Sequence, residues 1–408
     1  MRNVNCLKVA IENYGCTANL AVGSRIESLL RENGIEISPV EEADLVIVNS
    51  CGVIEYTERK ILKRIERLRR EKKVIVTGCL PAIREIKGEN IIASIRGGDF
   101  KELSKILMIE EREAMPQPFG VMAAVDIASG CLNSCSYCAV KLAKGELKSR
   151  KVEEIEKEVS SLVSRGVKEI EITSQDNSSY GADIRSSLPE LLERLCRIEG
   201  DFMIRVGMMN PRTLLPILDE VLQAMKDDKI FKFFHIPVQS GSDRILEKMK
   251  RGYTVEEFLS IHEAISRNFR DFTFSTDIIV GFPGETEEDF EMTKELIRKI
   301  EPDKLNITRY SPRKGTEAYE MKDIHGRIKK ARSRELFELH REISLSLNRK
   351  LIGRVSDVLV TEKGKKGGVV GRDPCYRNVV IGEELPLGSR FRVRFAEATP
   401  TYLIAELL

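Results

Sequence analysis

Three short runs of apolar and β-branched residues, LKVAIE (7–12), DLVIVN (44–49) and KVIVT (73–77), are each followed by a stretch of helical periodicity. A strand that hands over to a helix and returns as a strand builds a parallel sheet, because parallel neighbours need a long crossover between them. The rhythm restarts near residue 121 with longer units. Strand candidates there are VMAAVDIA (121–128), KEIEIT (168–173), FMIRVG (202–207), KFFHIP (232–237), FTFSTDIIV (272–280) and KLNIT (304–308). Helical patterns lie between them at 151–165, 186–199, 212–227, 242–268 and 285–300. Six strands with intervening helices point to a full or partial (β/α) barrel, with a doubly wound sheet as the other arrangement. The segment IEEREAMPQPFG (109–120) reads as a linker. After a helical stretch at 326–350 the pattern changes to alternation, in RVSDVLVTEKGKKGGVVGRD and SRFRVRF, with GKKGG and LPLGS as turns. That is a small antiparallel β-module. The expected units are 1–115, 116–345 and 346–408.

At 408 residues the chain is long enough for two to three domains at roughly 150 residues each. No apolar run approaches the ~18 residues that span a membrane. The first residues run straight into strand-like sequence without a secretory pattern, so the cytoplasm is the simplest compartment. A net charge of +2 does not announce a nucleic-acid partner, but charge is unevenly spread: residues 58–73 hold nine basic side chains and 326–334 hold five. Each run reads either as a solvated helix face or as a polyanion contact.

The nine cysteines constrain the chemistry. An odd number in a reducing compartment argues for metal binding or catalysis rather than disulfides. GCLNSCSYC carries Cys131, Cys135 and Cys138 in C-x3-C-x2-C spacing, and thiolates this close on one loop suit an iron–sulfur cluster. Three ligands on a four-iron cluster leave one iron open to substrate, the logic that separates catalytic from structural metal sites. Cys16, Cys51 and Cys79 each follow a candidate strand of the first sheet. In open α/β sheets that edge is where ligands bind. Taken singly, each is a small buried apolar residue as readily as a ligand. Three of three point to a shared metal site, with Gly78 allowing the turn before Cys79 and Pro81 ending it. Cys196 reads as core, and Cys6 and Cys375 carry no assigned role.

With both trios in view the chain resembles, from end to end, the methylthiotransferase family of radical S-adenosylmethionine (SAM) enzymes. The resemblance rests on YGC, VNSC and TGC, on GCLNSCSYCAVKLAKGELKSR, and on TSQDNSSYG (173–181), HIPVQSGSDRIL (235–246), DIIVGFPGETEEDF (277–290) and YSPRKGT (310–316). It implies an α/β chain with an amino-terminal parallel-sheet domain, a central partial radical-SAM barrel and a carboxy-terminal TRAM β-barrel. Two [4Fe-4S] clusters are implied, on Cys131, Cys135 and Cys138 and on Cys16, Cys51 and Cys79. SAM would lie against Tyr137, Gln175, Gln239, Ser240, Gly281, Phe282 and Pro283, with Arg205 facing its carboxylate or pairing with a barrel carboxylate. Tyr180, Arg309 and Arg313 would face substrate, and His235 reads as a structural imidazole rather than a base. Two departures stand out: VGSRI (22–26) where the family often has an acidic-Ser-Glu run, and Gly52 where it usually has Thr.

The implied reaction uses one SAM to methylate a sulfur at the auxiliary cluster and a second to generate a 5′-deoxyadenosyl radical. An unactivated C–H bond is beyond any side-chain base, so a cofactor must supply the chemistry. RVGMMNP (205–211), the spacing around TSQDNSSYG and YSPRKGT most resemble the archaeal/eukaryotic branch, which modifies N6-threonylcarbamoyladenosine next to the tRNA anticodon. A ribosomal-protein aspartyl methylthiotransferase and an enzyme for tRNA isopentenyladenosine are the alternatives. The implied partners are the tRNA anticodon arm and an electron donor such as flavodoxin or ferredoxin.

Overall fold

The computed structural model describes residues 7–52, 55–112 and 115–408; Cys6 lies outside them. The first sheet comprises β1 (Lys8–Asn13), β2 (Glu36–Ile37), β3 (Leu45–Ser50), β4 (Lys73–Gly78) and β5 (Ile91–Ser94), all parallel in the order β2-β1-β3-β4-β5. Its helices are α1 (Thr17–Glu32), α2 (Glu55–Leu68), α3 (Leu80–Ile83) and α4 (Phe100–Leu107). β3 is buried along its whole length, as a central parallel strand covered on both faces must be.

The second set of strands is β6 (Met122–Asp126), the two-residue pair β7 (Ala128–Ser129) and β8 (Lys148–Ser149), β9 (Glu169–Thr173), β10 (Met203–Val206), β11 (Phe233–His235), β12 (Thr273–Val280) and β13 (Lys304–Arg309). β6-β9-β10 and β11-β12-β13 are parallel sheets, joined by a parallel bridge from Ile204 to Ile230. The six strands therefore form the expected partial barrel. Helices α5 (Ala139–Lys144), α6 (Val152–Ser164), α7 (Leu188–Cys196), α8 (Pro211–Leu214), α9 (Leu218–Ala224), α10 (Asp243–Lys248), α11 (Val255–Asn268), α12 (Glu287–Ile300) and α13 (Gly326–Arg349) connect and flank them. Two helix expectations are corrected, the first over 212–227, which is α8 and α9 parted by a tighter turn at Leu215–Ile217. The helix read over 242–268 is two, α10 and α11, because Lys250 and Gly252 adopt positive φ (55° and 72°) and break it.

The last five strands, β14 (Val355–Lys363), β15 (Val369–Arg372), β16 (Asn378–Ile381), β17 (Arg390–Ala398) and β18 (Leu403–Leu407), close into a barrel in the order β14-β15-β16-β18-β17. It is not wholly antiparallel, since β16 and β18 pair in parallel. Five strands cannot alternate direction all the way round a closed ring, so one neighbouring pair has to run the same way.

The departure at VGSRI now has a structural role. α1 packs on β6, and Arg25 donates to Asp126 Oδ1 at 2.9 Å and Glu158 Oε2 at 2.6 Å, which also accepts from Arg150 at 2.7 Å. A basic residue here ties the first sheet to the barrel. Gly23 lets α1 approach β1: a Cβ there would fall 1.8 Å from Asn13 Oδ1. Gly52 is likewise crowded, its would-be Cβ 2.7 Å from Ile83. Among the described residues no helix is long and apolar enough to cross a membrane.

Candidate metal centres

Cys16 caps the start of α1, Cys51 follows β3, and Cys79 caps the start of α3, so all three stand at the carboxyl edge of the first sheet. The turns that carry them are knit together, with the Cys79 N–H on Ser50 O at 2.8 Å and the Tyr14 N–H on Asn49 O at 2.9 Å. Gly78, at φ 94°, permits this approach, because a Cβ would lie 2.2 Å from Ser50 O. Pro81 does not end the segment as expected. It sits in the first turn of α3, where a missing N–H costs nothing. Asn19 contacts all three turns. Its Nδ2 donates to Tyr14 O and Ser50 O, each at 2.9 Å, and its Oδ1 accepts from the Cys79 thiol at 3.7 Å.

Cys131, Cys135 and Cys138 ride on the loop between β7 and α5, with Cys138 capping α5. The loop is fastened from four sides. Gln175 Oε1 accepts from the Gly130 N–H at 2.7 Å, and Ser136 donates through its hydroxyl to Lys248 O (2.8 Å) and through its N–H to Met249 O (3.0 Å). Asn133 points its backbone and side-chain N–H groups at Cys131 Sγ (3.4 and 3.6 Å) and is itself held by buried Asp176 at 3.2 Å. Arg251 reaches Cys135 Sγ at 3.4 Å. α3 packs on α5, so two short helices, each opened by a cysteine of a different trio, bring the two thiol sites side by side.

Burial pushes the Cys79 and Cys138 thiols up to about 11 and raises Cys131 as well, and neighbouring thiolates add to the rise at each of the three. Thiols gathered in threes, with Cys51 and Cys79 buried and the loop trio half-buried, suit a positively charged metal–sulfide core, which replaces their protons. Among the described residues no three Cys, His, Asp or Glu side chains close tightly enough for a single ion. Three thiols on one loop, and three at one sheet edge, are the donor chemistry an iron–sulfur cluster takes. All eight described cysteines are free.

Residues 8–97 match a family described as uncharacterized protein family UPF0004, 125–297 match the Radical SAM superfamily, and 349–408 match the TRAM domain. A protein of Archaeoglobus fulgidus, described as a probable threonylcarbamoyladenosine tRNA methylthiotransferase, is 44% identical over 98% of this chain and 99% of its own. One of Pyrococcus horikoshii with the same description is 43% identical over 98% of this chain and 100% of its own. The chain belongs to the radical SAM methylthiotransferase family. In fold it is similar to the radical SAM methyltransferase TsrM from Kitasatospora setae, with a TM-score of 0.56 at 15% identity over 77% of this chain and 75% of that one.

On this methylthiotransferase fold most of the remaining candidates gather at the carboxyl rim of the barrel. Tyr137 stands edge-on to Phe282 (centroids 6.2 Å apart), and Phe282 to Tyr310 (5.4 Å). Gln239 holds a positive φ of 78° and bridges to β12, and Ser240 beside it is buried and accepts from the Ser242 N–H. Gly281 donates to Glu285 Oε2 at 2.6 Å, and Arg332 of α13 pairs with that same oxygen at 2.6 Å. Pro283 is buried beside them. Arg309 is exposed at the end of β13, whereas Arg313 is buried and pairs with Glu58 of α2. Tyr180 does not reach the rim surface: it is buried in the barrel core and its hydroxyl donates to Arg150 O. Arg205 lies deeper, 3.8 Å from Glu171 and over the rings of Phe233 and Tyr376. His235 Nε2 meets Asp277 Oδ1 at 2.8 Å. Burial pushes the Asp277 carboxyl up, but His235 and Asn306 outweigh it and hold it below its ordinary value.

Sequence reasoning missed Asn19, Asn133, Asp176, Asp277 and Arg251. The signal for Arg251 was the glycine after it, which interrupts an otherwise helical pattern.

Proposed function

We propose that the protein is a tRNA methylthiotransferase that converts N6-threonylcarbamoyladenosine next to the anticodon to its 2-methylthio derivative. The observation that carries this reading is the packing of α3 on α5, which sets two three-thiol sites at adjoining rims. Cys131, Cys135 and Cys138 would hold one [4Fe-4S] cluster and Cys16, Cys51 and Cys79 the other. When bound, the clusters and SAM supply one-electron cleavage chemistry and a methylated sulfur, which no side chain can provide.

The chain's own residues supply position and shelter. Tyr137 and Phe282 form an aromatic wall beside the loop thiols, and buried Gln239, Ser240, Gly281 and Pro283 would line the SAM site around it. The α13 side chains Lys329 and Arg332 brace the Gly281–Glu285 turn from behind. Gln175 fixes the start of the cysteine loop rather than standing free. Arg309 at the rim, the basic face of α2 and the exposed arginines of β17 supply contacts for the phosphates of an anticodon arm. Electrons would come from a small carrier of flavodoxin or ferredoxin type.

The test is mass spectrometry of tRNA nucleosides from cells with and without the gene, together with anaerobic reconstitution in SAM and dithionite. Loss of the methylthio nucleoside on deletion and release of 5′-deoxyadenosine in vitro are expected. An unchanged nucleoside profile overturns the tRNA substrate, and absence of 5′-deoxyadenosine overturns the enzymatic reading.

A further inference from the structure

Arg251 lies in the break between α10 and α11 and is 4% exposed. Every arm of its guanidinium is aimed. Nε donates to Tyr253 Oη at 2.9 Å, Nη2 to Pro237 O at 3.0 Å, and Nη1 to Cys135 Sγ and Tyr137 Oη at 3.4 Å each. A guanidinium stays charged at any pH the fold survives, and burying it without a counter-charge is costly. Among the described residues it forms no ion pair with a carboxylate. The carboxyls of Asp176 and Asp277 feel its charge without touching it. Nor does holding the cysteine loop require it, because Ser136 already ties that loop to Lys248 O and Met249 O.

A buried, permanent cation with an N–H aimed at a cysteine sulfur is placed to answer negative charge carried on that sulfur. We propose that Arg251 is the built-in counter-cation of the Cys131/Cys135/Cys138 cluster and raises its reduction potential. Adding one electron from the carrier makes the cluster more negative without making or breaking a bond. A fixed positive charge with an N–H···S contact stabilises that reduced form over the oxidised one. Among the described residues no cation is hydrogen-bonded to a sulfur of the other trio: Cys79 donates to the neutral Asn19 Oδ1, and Lys144 acts on it only from farther away. Arg251 is thus a positioning residue acting through Cys135, and the two clusters should differ in how readily they accept an electron. This inference rests on the reading that the loop trio carries a cluster.

The experiment is redox titration of the reconstituted full-length protein, followed by electron paramagnetic resonance, after iron has been counted. The parent protein should carry about eight irons; a parent that loads none at the loop trio sinks the cluster reading itself. Arg251→Gln should keep the parental iron and lower the reduced-to-oxidised ratio of the loop cluster about tenfold at fixed potential, equivalent to about 59 mV for one electron. The auxiliary cluster, unmoved, serves as internal reference. An unchanged ratio with intact iron overturns the inference. Should the variant fail to load, the parent labelled with 15N-arginine decides. Electron–nuclear double resonance of its reduced loop cluster should show a nitrogen coupling, and absence of that coupling overturns the inference.

Discussion

The two ends of the partial barrel bury charge in different ways. At the carboxyl end Arg251 aims an N–H at the Cys135 sulfur, while the Gly281 turn closes on Glu285. At the amino end the carboxy-terminal β-barrel docks and its Tyr376 plugs the opening. The hydroxyl of that tyrosine lies 2.9 Å from Glu169 Oε1 and 2.7 Å from Glu171 Oε1, its ring packs on Phe231 and Phe233, and its carbonyl accepts from Lys304 at 3.1 Å. Arg377 beside it pairs with Asp271 and Asp373. At the closed end arginines and carboxylates pair with one another, as Arg377 does and as Arg372 does with Glu362. At the open end Glu285 pairs with Arg332 and Asp277 with His235, whereas Arg251 forms no ion pair with a carboxylate among the described residues. Arg205 sits with the closed-end group. The difference teaches where to look for function: not at buried charge as such, but at buried charge without an internal partner.

The sharpest break of that comparison is at the thiols. Cys135→Ala should abolish 5′-deoxyadenosine formation and lose about four of roughly eight irons. Cys79→Ala should lose the other four or so yet still release 5′-deoxyadenosine, while methylthio product disappears. Iron assay and nucleoside mass spectrometry separate the two. If Cys79→Ala kept its full iron, Cys79 would be only a core residue. At the closed end the effect should fall on stability instead. Arg377→Ala strands buried Asp373 and should cost roughly 3–5 kcal/mol in denaturant unfolding, with the loop cluster still able to cleave SAM.

The closed end should also respond to pH. Burial pushes Glu169 from its ordinary 4.5 up to about 7, with Glu171 adding to the rise and Arg372, Tyr376 and Arg205 opposing it. Because the folded value lies above the ordinary one, this carboxyl favours the fold in acid. Its contribution is complete below pH 4.5 and fades as pH rises through about 7, a swing of roughly 3 kcal/mol. Glu169→Gln should flatten that segment of the stability–pH curve, as followed by urea midpoints across pH 4–8. A parental slope in the variant would place the titration elsewhere.

How much of this was legible in the chain differs between the ends for a physical reason. Strands announce themselves by runs of β-branched residues, and a thiol just past such a run marks the ligand edge of a parallel sheet. So β1, β3 and β4, the six barrel strands and both trios could be read. Arg251 could not, because a helical pattern runs through 242–268 and only Gly252 betrays the break that turns the side chain inward. Tyr376 meets Glu169 across 207 residues, and a single contact at that range leaves no periodic trace. The alternating carboxylates of KEIEIT were its faint sign: both point into the barrel and need a donor there.

The smallest effect tests whether one RNA could engage both ends. On β17 Arg392 and Arg394 face outward, alternating with buried Val393 and Phe395, and lie on the module that closes the amino end. A bound anticodon arm that reaches the thiol rim must extend around the barrel to touch them. If it does, Arg392→Glu with Arg394→Glu should weaken tRNA binding and reduce the slope of log affinity against log salt by about one for each phosphate no longer neutralised. Cleavage of SAM without RNA should be unchanged, because neither arginine approaches the rim. Filter binding across a salt series gives the answer. Parental affinity and slope in the double variant would confine the RNA to the open end and leave the β-barrel as the plug that holds Tyr376 in place.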